Sequence, residues 1–175
     1  NPAPVQGRNA NTVTTDFLPT AQIDNGVVWT LKVIGNTVYA GGSFTAARPA
    51  GAAPGVNTVP RSNLLSFNLT TGALTSFAPT FNGQIKSLAA SPDGTRLYVG
   101  GSFTTVNGAT RFNIAAFDTA TGALLNTFRP PVGGSSVNAI VATSTTVYVG
   151  GLLSAGNGVA RKNLMAFDTN GVLLG

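Results

Sequence analysis

The stretch Arg61-Ser-Asn63-Leu-Leu-Ser-Phe67 returns as Arg111-Phe-Asn113-Ile-Ala-Ala-Phe117 and again as Arg161-Lys-Asn163-Leu-Met-Ala-Phe167, at a fixed interval of 50 residues. A chain that repeats itself at such a period is built from copies of one supersecondary unit. Around this anchor lie Tyr39-Ala-Gly-Gly-Ser-Phe44, Tyr98-Val-Gly-Gly-Ser-Phe103 and Tyr148-Val-Gly-Gly-Leu-Leu153. Thr71-Gly72 and Thr121-Gly122 follow, then the related Phe17-Leu-Pro19, Phe77-Ala-Pro79 and Phe128-Arg-Pro130. What repeats is of the kind that holds strands and turns together, so the architecture is readable while no reaction centre stands out.

The middle copy shows the unit most clearly. Ile85–Ser91 is an extended apolar run that ends at Pro92-Asp-Gly94, and Arg96–Thr104 follows as a β-branched and aromatic run, so the two pair as a hairpin. Phe112–Asp118 then leads through Thr119-Ala-Thr-Gly122 into Ala123–Phe128, where Asp118 is placed to accept backbone amides and Gly122 to take positive φ. Four antiparallel strands in about 50 residues form the blade of a β-propeller. The expected fold class is therefore all-β, with three copies of the blade at 20–79, 80–130 and an incomplete 131–175. Residues 1–19 precede them, with a blade-closing strand expected at Thr12–Pro19.

Composition agrees with a packed β protein: 43% hydrophobic residues exclude a disordered tail, and 22 Gly with 10 Pro argue against helices. With no Cys, a disulfide framework, a thiolate metal site and a Cys nucleophile are all excluded. The net charge of +5 invites a nucleic-acid reading, but the ten Lys and Arg are scattered without a stripe or interleaved aromatics, so no nucleic-acid partner is expected. Apolar runs such as Val27–Trp29 are far too short for a membrane span, and no membrane insertion is expected. The opening Asn1-Pro-Ala-Pro-Val5 resembles the polar, Pro-rich start of an exported mature chain, so an extracellular or cell-surface location is expected.

The candidate ligand-binding residues are Arg61, Asn63, Arg111, Asn113, Arg161 and Asn163, with Arg48 added from the one long loop. A set of identical guanidinium groups suits anionic ligands, and an Asn two residues on shares the strand face. The competing reading has each Arg bonding carbonyls or a carboxylate of its own or the next blade. The doublets Gly41-Gly42, Gly100-Gly101 and Gly150-Gly151 are read as points where adjacent blades crowd together, and Phe67, Phe117 and Phe167 as core. Phe44 and Arg61 stand 17 positions apart against 8 for Phe103 and Arg111, and this longer loop is expected to be an insertion or a contact between copies before a binding loop. Trp29, the one Trp, is expected in the core. With no His or Cys, the general bases are limited to Asp16, Asp24, Asp93, Asp118 and Asp168, so no catalytic residue is expected. Neither a cofactor nor a metal is expected, since no calcium-loop pattern occurs.

The combined pattern, Tyr-Val-Gly-Gly-x-Phe, Arg-x-Asn-Leu-Ala-Ala-Phe-Asp, Thr-Gly and Phe-x-Pro, resembles the exported bacterial β-propellers of the delta-sixty repeat type, common in actinobacteria, over about Val13 to Leu174. The Gly-Gly doublet is also similar to kelch and quinoprotein blades, whose Trp signatures are lacking here. The resemblance implies an extracellular or cell-surface propeller without assigned catalysis. The third copy departs from the pattern at Leu152-Leu153 and at Thr169-Asn-Gly171.

Three blades do not readily close a ring, so the expectation is a homo-oligomer whose chains complete one another, or part of a longer propeller. The functional expectation is a non-enzymatic, secreted or surface scaffold that binds a protein or a glycan. The alternatives are a self-assembling subunit of a surface ring or filament and, far behind, an enzyme acting on polysaccharide.

Overall fold

The computed structural model describes residues 19–175. The expected strand at Thr12–Pro19 and the carboxylate of Asp16 therefore fall almost wholly outside the described residues. Three larger antiparallel sheets follow one another along the chain, each from one sequence repeat. The first contains Val27–Ile34, Thr37–Ser43 and Leu64–Asn68. The second contains Ile85–Ala90, Arg96–Gly101 and Ile114–Asp118, and the third Val132–Ala142, Thr146–Gly156 and Leu164–Asp168. In each, the middle strand carries the Gly-Gly doublet and pairs with both neighbours.

The fourth strand is much shorter than the expected Ala123–Phe128. It is reduced to one bridge per repeat: Phe67 with Leu74, Phe117 with Leu124, and Phe167 with Leu173. In the first two repeats Phe-x-Pro limits the segment, because Pro cannot donate to a ladder and the Phe turns inward. Phe128 is fully buried, and Phe77 packs edge-on to Tyr39 of the first sheet and Phe117 of the second, at 5.6 and 5.3 Å between ring centres. Each such pair adds about 0.5–1.5 kcal/mol beyond the area it buries.

The turns obey their residues. The carboxylate of Asp118 accepts the amides of Ala120 and Thr121, both at 2.9 Å, and Gly122 takes φ of 73°. Asn107-Gly108 and Asn157-Gly158 hold positive φ at both positions, the geometry that closes a two-residue hairpin. Those hairpins make the short ladders Thr105–Val106 with Ala109–Thr110, and Val159–Ala160 on the end of Thr146–Gly156.

The core lies between the sheets. Tyr39 and Leu64 of the first sheet cluster with Ile85, Leu88, Val99 and Phe117 of the second. Tyr98 and Ile114 of the second cluster likewise with Val137, Ile140, Val149 and Phe167 of the third. Each large apolar side chain so buried contributes about 1.5–3 kcal/mol. The expected crowding of adjacent sheets is found at the first Gly of two doublets, where a Cβ on Gly41 would meet Ile85 of the next sheet at 2.5 Å and one on Gly100 would meet Val137 at 2.4 Å; Gly42, Gly101 and Gly151 instead lie against the backbone of their own sheet, and Gly150 has no atom nearer than 3.8 Å.

The long loop after Phe44 is tied down. Ala46–Arg48 pairs with Gln22–Ile23 on one side and Val59–Pro60 on the other.

Candidate functional site

The guanidinium groups at the repeating Arg positions face their own backbone. Arg61 donates from Nη2 to the Thr75 carbonyl at 2.8 Å and from Nη1 to the Pro60 carbonyl at 2.7 Å. Arg111 donates to the carbonyls of Thr110 and Leu125 and to Oδ1 of Asn126. Arg161 donates to the carbonyls of Leu174 and Gly175. Each thus replaces the strand that the fourth segment lacks, and burial lowers the pKa of Arg61 and of Arg111 from the ordinary arginine value.

Asn63 and Asn113 join neighbouring sheets, while the Asn163 amide meets Leu153 of its own repeat. Asn63 accepts the Phe44 amide at 3.0 Å and donates to the carbonyls of Phe81 at 3.3 Å and Gly83 at 2.9 Å. Asn113 donates to the carbonyls of Val132 and Gly134 at 3.0 and 3.3 Å. All three Asn hold left-handed backbone, with φ of 68°, 64° and 64° at Asn63, Asn113 and Asn163, a conformation Asn tolerates better than other residues with a Cβ. Arg48 is buried, paired with Asp24 and Gln22 and donating to the Ala52 carbonyl at 2.9 Å. The structure therefore does not bring these seven residues to one site; each makes hydrogen bonds within the chain, while Nε of Arg61 and of Arg111 is buried without a partner.

The remaining carboxylates are dispersed in turns. Asp93 accepts Ser91 Oγ–H at 2.7 Å and the amide and hydroxyl of Thr95 at 3.0 and 2.8 Å, which together hold its pKa at about 2. Asp118 is likewise lowered, first by the Thr121 amide. Among the described residues no group of three or more His, Cys, Asp and Glu is placed to hold a metal ion.

A site does form where the copies differ. The first strand of every sheet carries a register shift at the same point: between Val28 and Thr30, between Ile85 and Ser87, and between Val137 and Ala139. The residues so displaced are Trp29, Lys86 and Asn138. A bulge re-aims its side chain out of the alternation of the strand, and these three, with Gln84, line one pocket of about 480 Å³. Trp29 is 58% exposed, which corrects the expectation of a core residue. Asn138 accepts Ser136 Oγ–H at 2.8 Å. An aromatic face, an ammonium and two amides thus converge. Sequence reasoning missed the set, although Trp29, Lys86 and Asn138 each stand two residues before Leu31, Leu88 or Ile140, the equivalent apolar positions of the three repeats.

A second feature is a cleft of about 620 Å³ between the second and third sheets, bordered by Ser102, Phe112, Pro131 and Gly133–Ser135. At the equivalent point between the first two sheets stands Ser62, whose hydroxyl donates to the Phe81 carbonyl at 2.9 Å. Phe112 stands in place of that Ser and is 43% exposed.

Residues 64–172 match the model of the Rax2 C-terminal β-propeller domain. The chain belongs to that family. The three sheets described above are accordingly of the β-propeller type. Among solved structures the chain is similar to the WD40 repeats of RRP9, at 11% identity and a TM-score of 0.36 over 77% of this chain and 50% of that one. It is similar also to U3-55K, at 12% identity and a TM-score of 0.38 over 89% of this chain and 55% of that one. The chain thus spans about half the length of these structures. No curated protein matches it.

Proposed function

We propose that this propeller is a non-catalytic binding scaffold acting outside the cell or on its surface, and that the pocket at the three strand bulges takes a glycan. The observation that carries the reading is the convergence of Trp29, Gln84, Lys86 and Asn138 from successive repeats on one open pocket. The Trp ring offers an apolar face for a sugar ring, the amides suit hydroxyl groups, and Lys86 favours an acidic sugar. Support for a non-catalytic role comes from the carboxylates of the described residues: Asp24 is paired with Arg48, and Asp93, Asp118 and Asp168 accept local turn amides. The location rests on the resemblance to exported repeat propellers.

Trp29 is the only Trp, so its fluorescence reports on the pocket directly. Titration with acidic oligosaccharides should change the emission saturably, more than neutral ones of equal length do. Trp29→Phe should keep binding by calorimetry and Trp29→Ala should lose it. An unchanged spectrum and no heat across such a panel would refute the glycan reading.

The cleft beside Phe112 favours a protein partner as a second reading, in which an apolar side chain of an exposed loop sits against Phe112 and Pro131 and the Ser and Gly backbone of the rim meets its main chain. A Phe112→Ser chain used as bait from the same source should lose partners that the parent retains. Equal capture by both would exclude the cleft.

A further inference from the structure

We propose that a pocket on the middle repeat binds a small organic carboxylate, with Arg111 and Arg129 holding its charge and Phe112 and Pro131 its apolar body. Neither arginine borders the pocket at the bulges or the cleft between the second and third sheets, so the proposal stands apart from both readings above.

The pocket has a volume of about 470 Å³, and Arg111, Phe112, Asn126, Arg129 and Pro131 are among its walls. No carboxylate lines it. Among the described residues neither guanidinium stands in an ion pair; the one such pair joins Arg48 to Asp24. Burial first, and the Arg129 charge second, lower the pKa of Arg111, so the two cations feel one another. Like charges that share a pocket without a counter-charge disfavour each other's charged form, and an anion between them relieves this. Arg111 is only 4% exposed. Its Nη atoms donate to Thr110, Leu125 and Asn126, while its Nε is buried without a partner.

The copies separate scaffold from site. In the first repeat Arg61 makes the equivalent carbonyl contacts, and its Nε is likewise buried and unpartnered. The orphaned donor alone therefore marks no ligand. What the first repeat lacks is the rest: Ala78 stands where the second has Arg129, Ser62 where it has Phe112, and Thr80 where it has Pro131. A second cation and two apolar groups thus arrive together in one copy and border one pocket. The planar fork of an arginine matches a carboxylate, and an apolar body laid on the exposed Phe112 ring and on Pro131 leaves water as its charge is neutralised. The volume lies within the range that small-molecule sites occupy.

Nitrogen–proton NMR of the purified chain tests this, because the buried Nε–H of Arg111 gives a signal of its own and that of Arg61 an internal control. Benzoate should shift the Arg111 signal saturably and leave that of Arg61 in place. Acetate should do so more weakly, and neutral benzamide not at all. Arg129→Ala gives the middle repeat the residue of the first, and should weaken benzoate roughly tenfold or more, the equivalent of one charge-assisted hydrogen bond. Without any anion the same variant should melt no lower than the parent, since a repulsion has gone. No saturable shift, an equal shift at Arg61 or with benzamide, or an unchanged affinity in Arg129→Ala overturns the proposal; acetate binding as tightly as benzoate overturns the apolar body. Asp16→Asn removes the one acidic side chain outside the described residues. If benzoate binds that variant alone, the chain fills its own pocket and the external ligand falls.

Discussion

Replacing Asn63 separates two forces that one side chain combines. Its amide makes three hydrogen bonds, one to the Phe44 amide and two to carbonyls of the next sheet, and its backbone sits at φ of 68°. Three bonds at about 0.5–1.5 kcal/mol each give roughly 1.5–4.5 kcal/mol. Left-handed backbone costs a residue with a Cβ about 1 kcal/mol that Gly does not pay. Asn63→Ala should therefore destabilise the chain by roughly 2–5 kcal/mol, and Asn63→Gly by about 1 kcal/mol less. Urea unfolding followed by circular dichroism measures both, with midpoints ordered parent, Gly, Ala. If Asn63→Gly unfolds at the parental midpoint, the amide holds no sheets together and its role as a ligand contact returns.

Gly100→Ala should cost roughly 1–3 kcal/mol by overpacking, or about 2–4 °C of melting temperature for each, since its Cβ meets Val137 at 2.4 Å and Ile140 at 2.9 Å; an unchanged melting curve would mean the sheets do not touch there. Asp93, held at about 2 in the folded chain chiefly by Ser91 and then Thr95, lies below its unfolded value near 3.9, so its contribution is complete above about pH 4 and fades as pH falls toward 2. Asp93→Asn should flatten that acid limb, and a carboxyl titration by NMR with an ordinary midpoint would refute the turn's hydrogen bonds.

Periodicity made the sheets legible because the same residues recur where the same backbone is required. Asp118 and Gly122 announce their turn, and the glycine doublets announce close packing, since neither geometry admits other chemistry cheaply. The reduced fourth strand was less visible, because Leu124 and Leu125 read as a strand, and the Arg111 side chain that takes the Leu125 carbonyl arrives from elsewhere in the repeat. The seven Arg and Asn candidates were drawn from what repeats, and repetition is a property of scaffolding. Trp29 was hidden by the opposite circumstance: the strand Val27–Ile34 alternates smoothly in sequence, which sets Trp29 with Leu31 and Val33 on one apolar face, and that whole face is exposed among the described residues.

The bulges give this chain a division of labour. Trp29, Lys86 and Asn138 stand outside the ladders and outside the three apolar clusters, so exchanging them disturbs neither the hydrogen bonding nor the packing that defines the sheets. Positions of this kind can be rewritten one repeat at a time, and each rewriting alters one wall of a shared pocket. A library randomised at these three sites alone would explore new specificities on an unchanged frame.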